Sequence, residues 1–168
     1  MRIRALTLWE PWASLMALGV KQFETRSWAP RGLEAGDLVV VTAAKRWAEE
    51  QWGAWERLGR KHPSLQEVFW PILDFKNWRA GPPTLGHALS IHEYRGHGVS
   101  DGMMIRVESE RLLYFRIPER EQELGDYRRG RYAWYMPVTQ RLKPPVPVTG
   151  RQGLWTPPPG IRVAGMSA

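Results

Sequence analysis

The stretch that most constrains how this chain can fold runs from Ala5 to Arg26 and reads ALTLWEPWASLMALGVKQFETR. A short apolar strand is followed at once by Pro11, which suits a first helical position because its missing N–H would have had no partner there. Gly19 stands where the helical periodicity stops, the usual place for a helix to end. Between them Trp12, Leu15 and Met16 recur at helical spacing and give the helix one apolar face to bury. Lys21 emerges at the helix end, where the macrodipole favours a cation. If Gln22 to Ser27 is a regular strand, Glu24 and Arg26 share one face, with Phe23 and Thr25 on the other. An acid, two bases and a helix end are thereby expected within a small volume. The three charged side chains suit either a salt-bridge network tying the helix to a sheet or a ligand site.

The rest of the chain reads mainly as strands. Asp37 to Ala43 is a continuous β-branched apolar run, expected as a buried strand, and Ala44 to Arg60 as a helix with Ala48, Trp52, Trp55 and Gly59 on one stripe. Lys45, Arg46 and Trp47 stand at the corner between the two. Ser64 to Glu67 has the form of a capping box, predicting a short helix to Trp70, followed by a Pro- and Gly-containing loop to Pro83. Thr84 to Tyr94 alternates as a strand with Leu85, His87, Leu89, Ile91 and Glu93 on one side. Gly96 to Gly102 reads as a flexible turn, and Met103 to Glu108 with Arg111 to Ile117 as a hairpin. Pro118 to Gly130 is polar and is expected on the surface. Arg131 to Thr139 is expected as one strand, with Tyr132, Trp134 and Met136 on one face, and the Pro-rich Pro144 to Val148 as an edge strand. Six or seven strands with two or three helices suit a twisted, largely closed sheet.

Composition narrows the function classes. The 168 residues suit one domain, and the absence of Cys excludes disulfides and thiolate metal sites. No segment approaches the ~18 consecutive apolar residues of a membrane span, and the first residues lack the apolar run of a signal peptide, so a cytoplasmic protein with no membrane partner is expected. The net charge is +7, and from Asp126 to Ala168 seven Lys or Arg against one acid give +6. That asymmetry points to a polyanion, nucleic acid being the simplest. Most of the ten Trp are expected to be packing residues, because Trp buries a large area, and a minority on a basic face can stack bases. His87, His92 and His97 recur at a spacing that alternates faces in a strand, so no metal site is expected. Phosphate-loop, dinucleotide and serine-hydrolase motifs are all missing, and no cofactor is expected.

The run Gly19, Lys21, Glu24, Arg26, of form G-x-K-x-x-E-x-R, resembles the signature of the ASCH (activating signal cointegrator homology) domain, within the PUA-like superfamily. A second block, Gly130 to Trp155, GRYAWYMPVTQRLKPPVPVTGRQGLW, is similar to the closing segment of the same family. The resemblance implies an α+β, mainly β fold: a PUA-like small mixed β-barrel of about six strands with two or three helices at its openings. It would occupy residues 1–156 as a single domain, with 157–168 a weakly packed tail.

The family barrel would bring the two blocks together into a basic cleft centred on Lys21, Glu24 and Arg26, with Lys45, Arg46, Arg128, Arg129, Arg131 and Arg151 around it. Trp9, Trp28 and Tyr132 would be its stacking platforms. The implied partner is nucleic acid, RNA favoured over DNA because stacking needs unstacked bases. Some small ASCH relatives hydrolyse an acylated cytidine with a Lys, a Thr and a Glu. Here Lys21 matches the Lys, Glu24 stands where those enzymes have Thr, and Glu93 is the candidate for the distal Glu by order along the chain. A hydrolase acting on a modified nucleoside or on RNA, with Lys21, Glu24 and Glu93 catalytic, is the alternative. A protein-interaction adaptor using the Trp- and Pro-rich surface is a further one.

Overall fold

A computed structural model describes residues 1–45, 49–63, 83–107 and 113–161. The chain builds two five-stranded sheets. The first has the order β10-β1-β3-β4-β9, from β1 (Ile3–Leu8), β3 (Leu38–Ala43), β4 (His87–Glu93), β9 (Val138–Pro147) and β10 (Leu154–Trp155). The second has the order β2-β8-β5-β6-β7, from β2 (Phe23–Arg26), β5 (Gly96–Ser100), β6 (Met104–Val107), β7 (Leu113–Arg116) and β8 (Tyr132–Tyr135). Among the described residues only β1 and β3 pair in parallel, joined by a crossover that contains α1 (Trp12–Ala17) and β2. Two further helices are described, α2 (Glu49–Lys61) and α3 (Glu119–Leu124). Among the described residues no helix is long and apolar enough to cross a membrane.

The fold is therefore α+β and mainly β, but the expectation of a largely closed barrel of about six strands is corrected, among the described residues, to ten strands in two open sheets. Three local causes account for the difference. Gly96 to Ser100 is a strand, not a turn. A Cβ on Gly98 would lie 2.5 Å from Ile105 Cγ2 and 2.6 Å from the Arg106 carbonyl oxygen, so glycine here serves close strand packing. The run from Arg131 to Thr139 breaks at Met136–Pro137, where the chain leaves the second sheet and enters the first as β9. The third cause is β10, two residues added to the free edge of β1.

Packing explains the apolar run at β3. Val39, Val41 and Ala43 face a cluster between the sheets that includes Leu6, Leu8, Met16 and Trp134, whereas Leu38 and Val40 face a second cluster with Ala5, Ile91 and Trp155. All six residues are buried. The expected parity of β4 is broken: Leu89 packs in the first cluster and Ile91 in the second. Register shifts at Ala88/Ser90 and Ile91/His92 rotate the strand between them. β9 lies at a sheet edge, as its prolines require. Ile161, inside the predicted tail, is half-buried against the second cluster. The helix expected from Ser64 to Trp70, and most of the loop after it, lies outside the described residues.

α1 begins one residue later than expected, with Pro11 as its N-cap, and closes through Leu18 and Gly19, whose φ of 71° is the left-handed conformation glycine tolerates. Glu10 does the capping. Its fully buried carboxylate accepts the Ser14 backbone N–H at 3.1 Å, the Ser14 hydroxyl at 2.9 Å and the Thr84 hydroxyl at 2.5 Å. Burial raises its pKa, and the three donors oppose that shift.

Candidate functional site

The turn after α1 aims Lys21 inward. The backbone N–H groups of Val20 and Lys21 both donate to the Leu15 carbonyl, at 3.0 and 3.1 Å, and the Lys21 side chain, 2 % exposed, folds back beneath β2. Its ammonium donates to the Phe23 carbonyl and lies 3.7 Å from Glu24 Oε2. Glu24 Oε1 is 2.8 Å from Arg26 Nε, an ionic contact without hydrogen-bond alignment. Burial pushes the Lys21 ammonium below its ordinary pKa, while Glu24 and then Glu121 act to keep it charged. Arg26 continues the chain, donating to the Thr7 carbonyl at 3.4 Å and lying 6.0 Å from the Trp28 ring centroid.

Glu121 lies in the stretch expected to be a polar surface excursion. It is buried on α3, accepts the Gln22 N–H at 2.7 Å and receives the Tyr127 hydroxyl at 3.3 Å. Burial and this carboxylate raise the Tyr127 pKa, keeping the phenol protonated. The sequence signal that was open to reading is the spacing of Glu121 and Leu124, which places both on one face of α3.

Lys21, Glu24, Thr25 and Arg131 border a cavity of about 390 Å³ together with Trp12 and residues 123–126. Thr25 lies on the opposite face of β2 from Glu24, yet both reach this cavity because β2 is an edge strand. The Thr25 hydroxyl accepts the Asp126 N–H at 2.9 Å. Three carboxylates, Glu24, Glu123 and Asp126, meet two cations, Lys21 and Arg131, in the lining. Each acid has a cationic partner. Glu123 pairs with Lys61 at 2.6 Å and with His62, joining α2 to α3, and its pKa is lowered by those hydrogen bonds. Asp126 is held near pKa 2, first by the Arg128 guanidinium hydrogen bonds, and lies 3.2 Å from Arg131 Nε. Such a lining favours a polar group that both donates and accepts hydrogen bonds over a bare phosphate.

The other predicted site residues divide. Arg26, Trp28 and Tyr132 are not in the cavity lining: Arg26 is joined to it through Glu24, whereas Trp28 and Tyr132 pack on the cluster between the sheets, with Trp28 edge-on to the buried Trp134 at 4.7 Å. Lys45 and Arg151 border a different cavity of about 520 Å³ with Gly86 and Trp155. Trp9 is 49 % exposed at the start of α1. Arg128 and Arg129 are exposed beside Asp126, and Arg46 lies outside the described residues. Glu93 is not in the cavity lining and pairs with Arg95 at 3.3 Å. His92 is sealed between Ser90 and the Met136 carbonyl, whereas His97 meets the Tyr94 hydroxyl at 2.6 Å.

No curated protein matches the chain. A model of the ASCH domain matches residues 6–145, from within β1, through the Lys21 cavity, to within β9. Since that span takes in most of the chain, strands of both sheets and the buried Lys21–Glu24–Arg26 series, the chain belongs to the ASCH domain family.

Proposed function

We propose that this ASCH-domain protein binds nucleic acid, RNA in preference to DNA, and that the cavity at Lys21 and Glu24 receives a base edge rather than a phosphate. The observation that carries this reading is the mixed lining of that cavity, in which every carboxylate is already neutralised by a cation. Glu24 offers an acceptor to an exocyclic amine, Arg131 offers donors to a base carbonyl, and Trp12 supplies a ring. Arg26, Arg128, Arg129 and Arg131 carry the phosphate contacts around the opening, and Trp9, Trp28 and Tyr132 the stacking contacts. Lys45 and Arg151 extend the basic surface beyond the cavity.

Equilibrium binding to single-stranded RNA, duplex RNA, single-stranded DNA and duplex DNA over a range of salt tests the reading. Tightest binding to single-stranded RNA, with a preference that persists at high salt, is the expected result. Equal and wholly salt-sensitive binding to all four would mean that charge alone holds the ligand.

A hydrolase acting on a modified nucleoside or on RNA is the second reading. It is favoured by the desolvated Lys21 ammonium with its lowered pKa and by the Thr25 hydroxyl in the same lining. Lys21 and Glu24 would act on the substrate, with the buried Glu121 rather than Glu93 as the neighbouring carboxylate. Release of cytidine from an acylated cytidine, lost in Glu24→Gln, is the expected signature. No product at high concentrations of folded protein would sink it.

A further inference from the structure

The second sheet carries a row of residues that the Lys21 cavity does not use. Strand register places Arg26 opposite Tyr132, Tyr132 opposite Val99, Val99 opposite Arg106 and Arg106 opposite Tyr114. Residues directly opposite one another point to the same face, so these five side chains form one line across all five strands. Arg116, two residues beyond Tyr114, is on that face as well, opposite Met104. Exposure rises along the line. Arg26 and Tyr132 are half-buried against the body of the protein, whereas Arg106, Tyr114 and Arg116 are exposed and Tyr114 stands 53 % open at the free edge.

A cation and a ring stand on each side of Val99 along this line. Trp28 lies beside Arg26 at its inner end, and His97 is 5.9 Å from the Tyr132 ring. Among the strand residues of this sheet the one carboxylate on the face is Glu24, buried and tied to Lys21 and Arg26. From Tyr132 to Tyr114 there are three interstrand steps, roughly 14 Å, room for more than one unstacked base. Among the described residues the exposed part of this face carries the Arg106 and Arg116 guanidinium groups, and its strand carboxylate, Glu24, is buried, a distribution that complements a polyanion. The rings on this face offer the sequence-tolerant platforms that single-stranded ligands use.

We infer that single-stranded nucleic acid leaving the Lys21 cavity runs across this face, with its phosphates near Arg106 and Arg116 and a base stacked on Tyr114. The inference rests on the nucleic-acid reading and extends it to three residues, Arg106, Tyr114 and Arg116, outside the family signature. The opposite face of β7 carries Leu113 and Phe115, also exposed, so pairing between two copies at this edge is the competing outcome.

The test uses the full chain, a labelled short oligouridylate and a labelled RNA duplex, read by fluorescence anisotropy, with self-association followed by sedimentation. Tyr114→Ala is expected to weaken oligouridylate binding at least about five-fold and to leave duplex binding unchanged. Tyr114→Phe retains the affinity, and Arg116→Gln lowers the salt slope by about one. Wild-type binding that Tyr114→Ala leaves intact overturns this track but not the cavity reading. Failure of the wild type to bind any nucleic acid overturns both. Self-association of the wild type that Tyr114→Ala abolishes, with oligouridylate affinity unchanged, reassigns the edge to a contact between copies.

Discussion

The two sheets use the alternation of strand residues in opposite ways. In the first, β3 has all six residues buried because clusters cover both faces. In the second, β7 has all four exposed at a free edge. Polar groups enclosed in the first sheet must therefore be satisfied internally. Thr42 donates to Thr7 Oγ1 at 3.1 Å, and His92 lies between Ser90 and the Met136 carbonyl. The second sheet is packed at β2 and β8 and loses its cover toward β7, so Tyr114 and Arg116 are set by something other than the core. Lys21 belongs with the enclosed group although it borders the cavity, which makes its removal a perturbation of folding as well as of binding.

Trp134→Ala offers the largest break in this comparison. Trp134 is fully buried between the sheets, and its loss should cost about 4 kcal/mol in urea unfolding. A cost below about 1 kcal/mol would mean that the sheets do not pack through it. Lys21→Ala comes next, at roughly 3 kcal/mol, because Glu24 would remain buried with only Arg26 beside it. If the variant proves as stable as the wild type, the pair is more hydrated than its burial implies.

The third effect is one of pH. Burial pushes the His92 imidazole from 6.5 down to about 4. The unfolded chain takes up that proton first as pH falls, so stability is complete above about pH 6.5 and declines toward pH 4. Between pH 7 and 5 the loss is on the order of 2 kcal/mol, measured as a change in urea midpoint. His92→Gln should flatten the curve, and an unchanged slope would assign it to other groups. Smallest is Tyr114→Ala, which should shift stability by less than about 0.5 kcal/mol while reducing single-strand affinity. A larger loss would show that β7 is held by contacts beyond its own pairing.

Local periodicity was enough to read the Ala5 to Arg26 unit. Period two put Glu24 and Arg26 on one face, where they meet, and Gly19 was legible as the helix stop. The run at β3 was legible as a buried strand because it is apolar on both parities. Features set by distant neighbours were not legible. Gly98 is a strand glycine because of β6, and Pro137 ends a strand only because the chain changes sheets there. Leu89 and Ile91 part company through register shifts that no local pattern announces. Glu121 joins Lys21 from a stretch about a hundred residues away, and the row that ends at Tyr114 exists only once five strands have paired.

Amide chemical-shift mapping during titration with a short single-stranded RNA tests the central claim most directly. The account predicts shifts at Lys21, Glu24, Gly125 and Arg131 that continue through Tyr132 and Arg106 to Tyr114, with the β3–β4 interior unchanged. Shifts confined to the groove around Lys45 and Arg151, or none at saturating RNA, would contradict it.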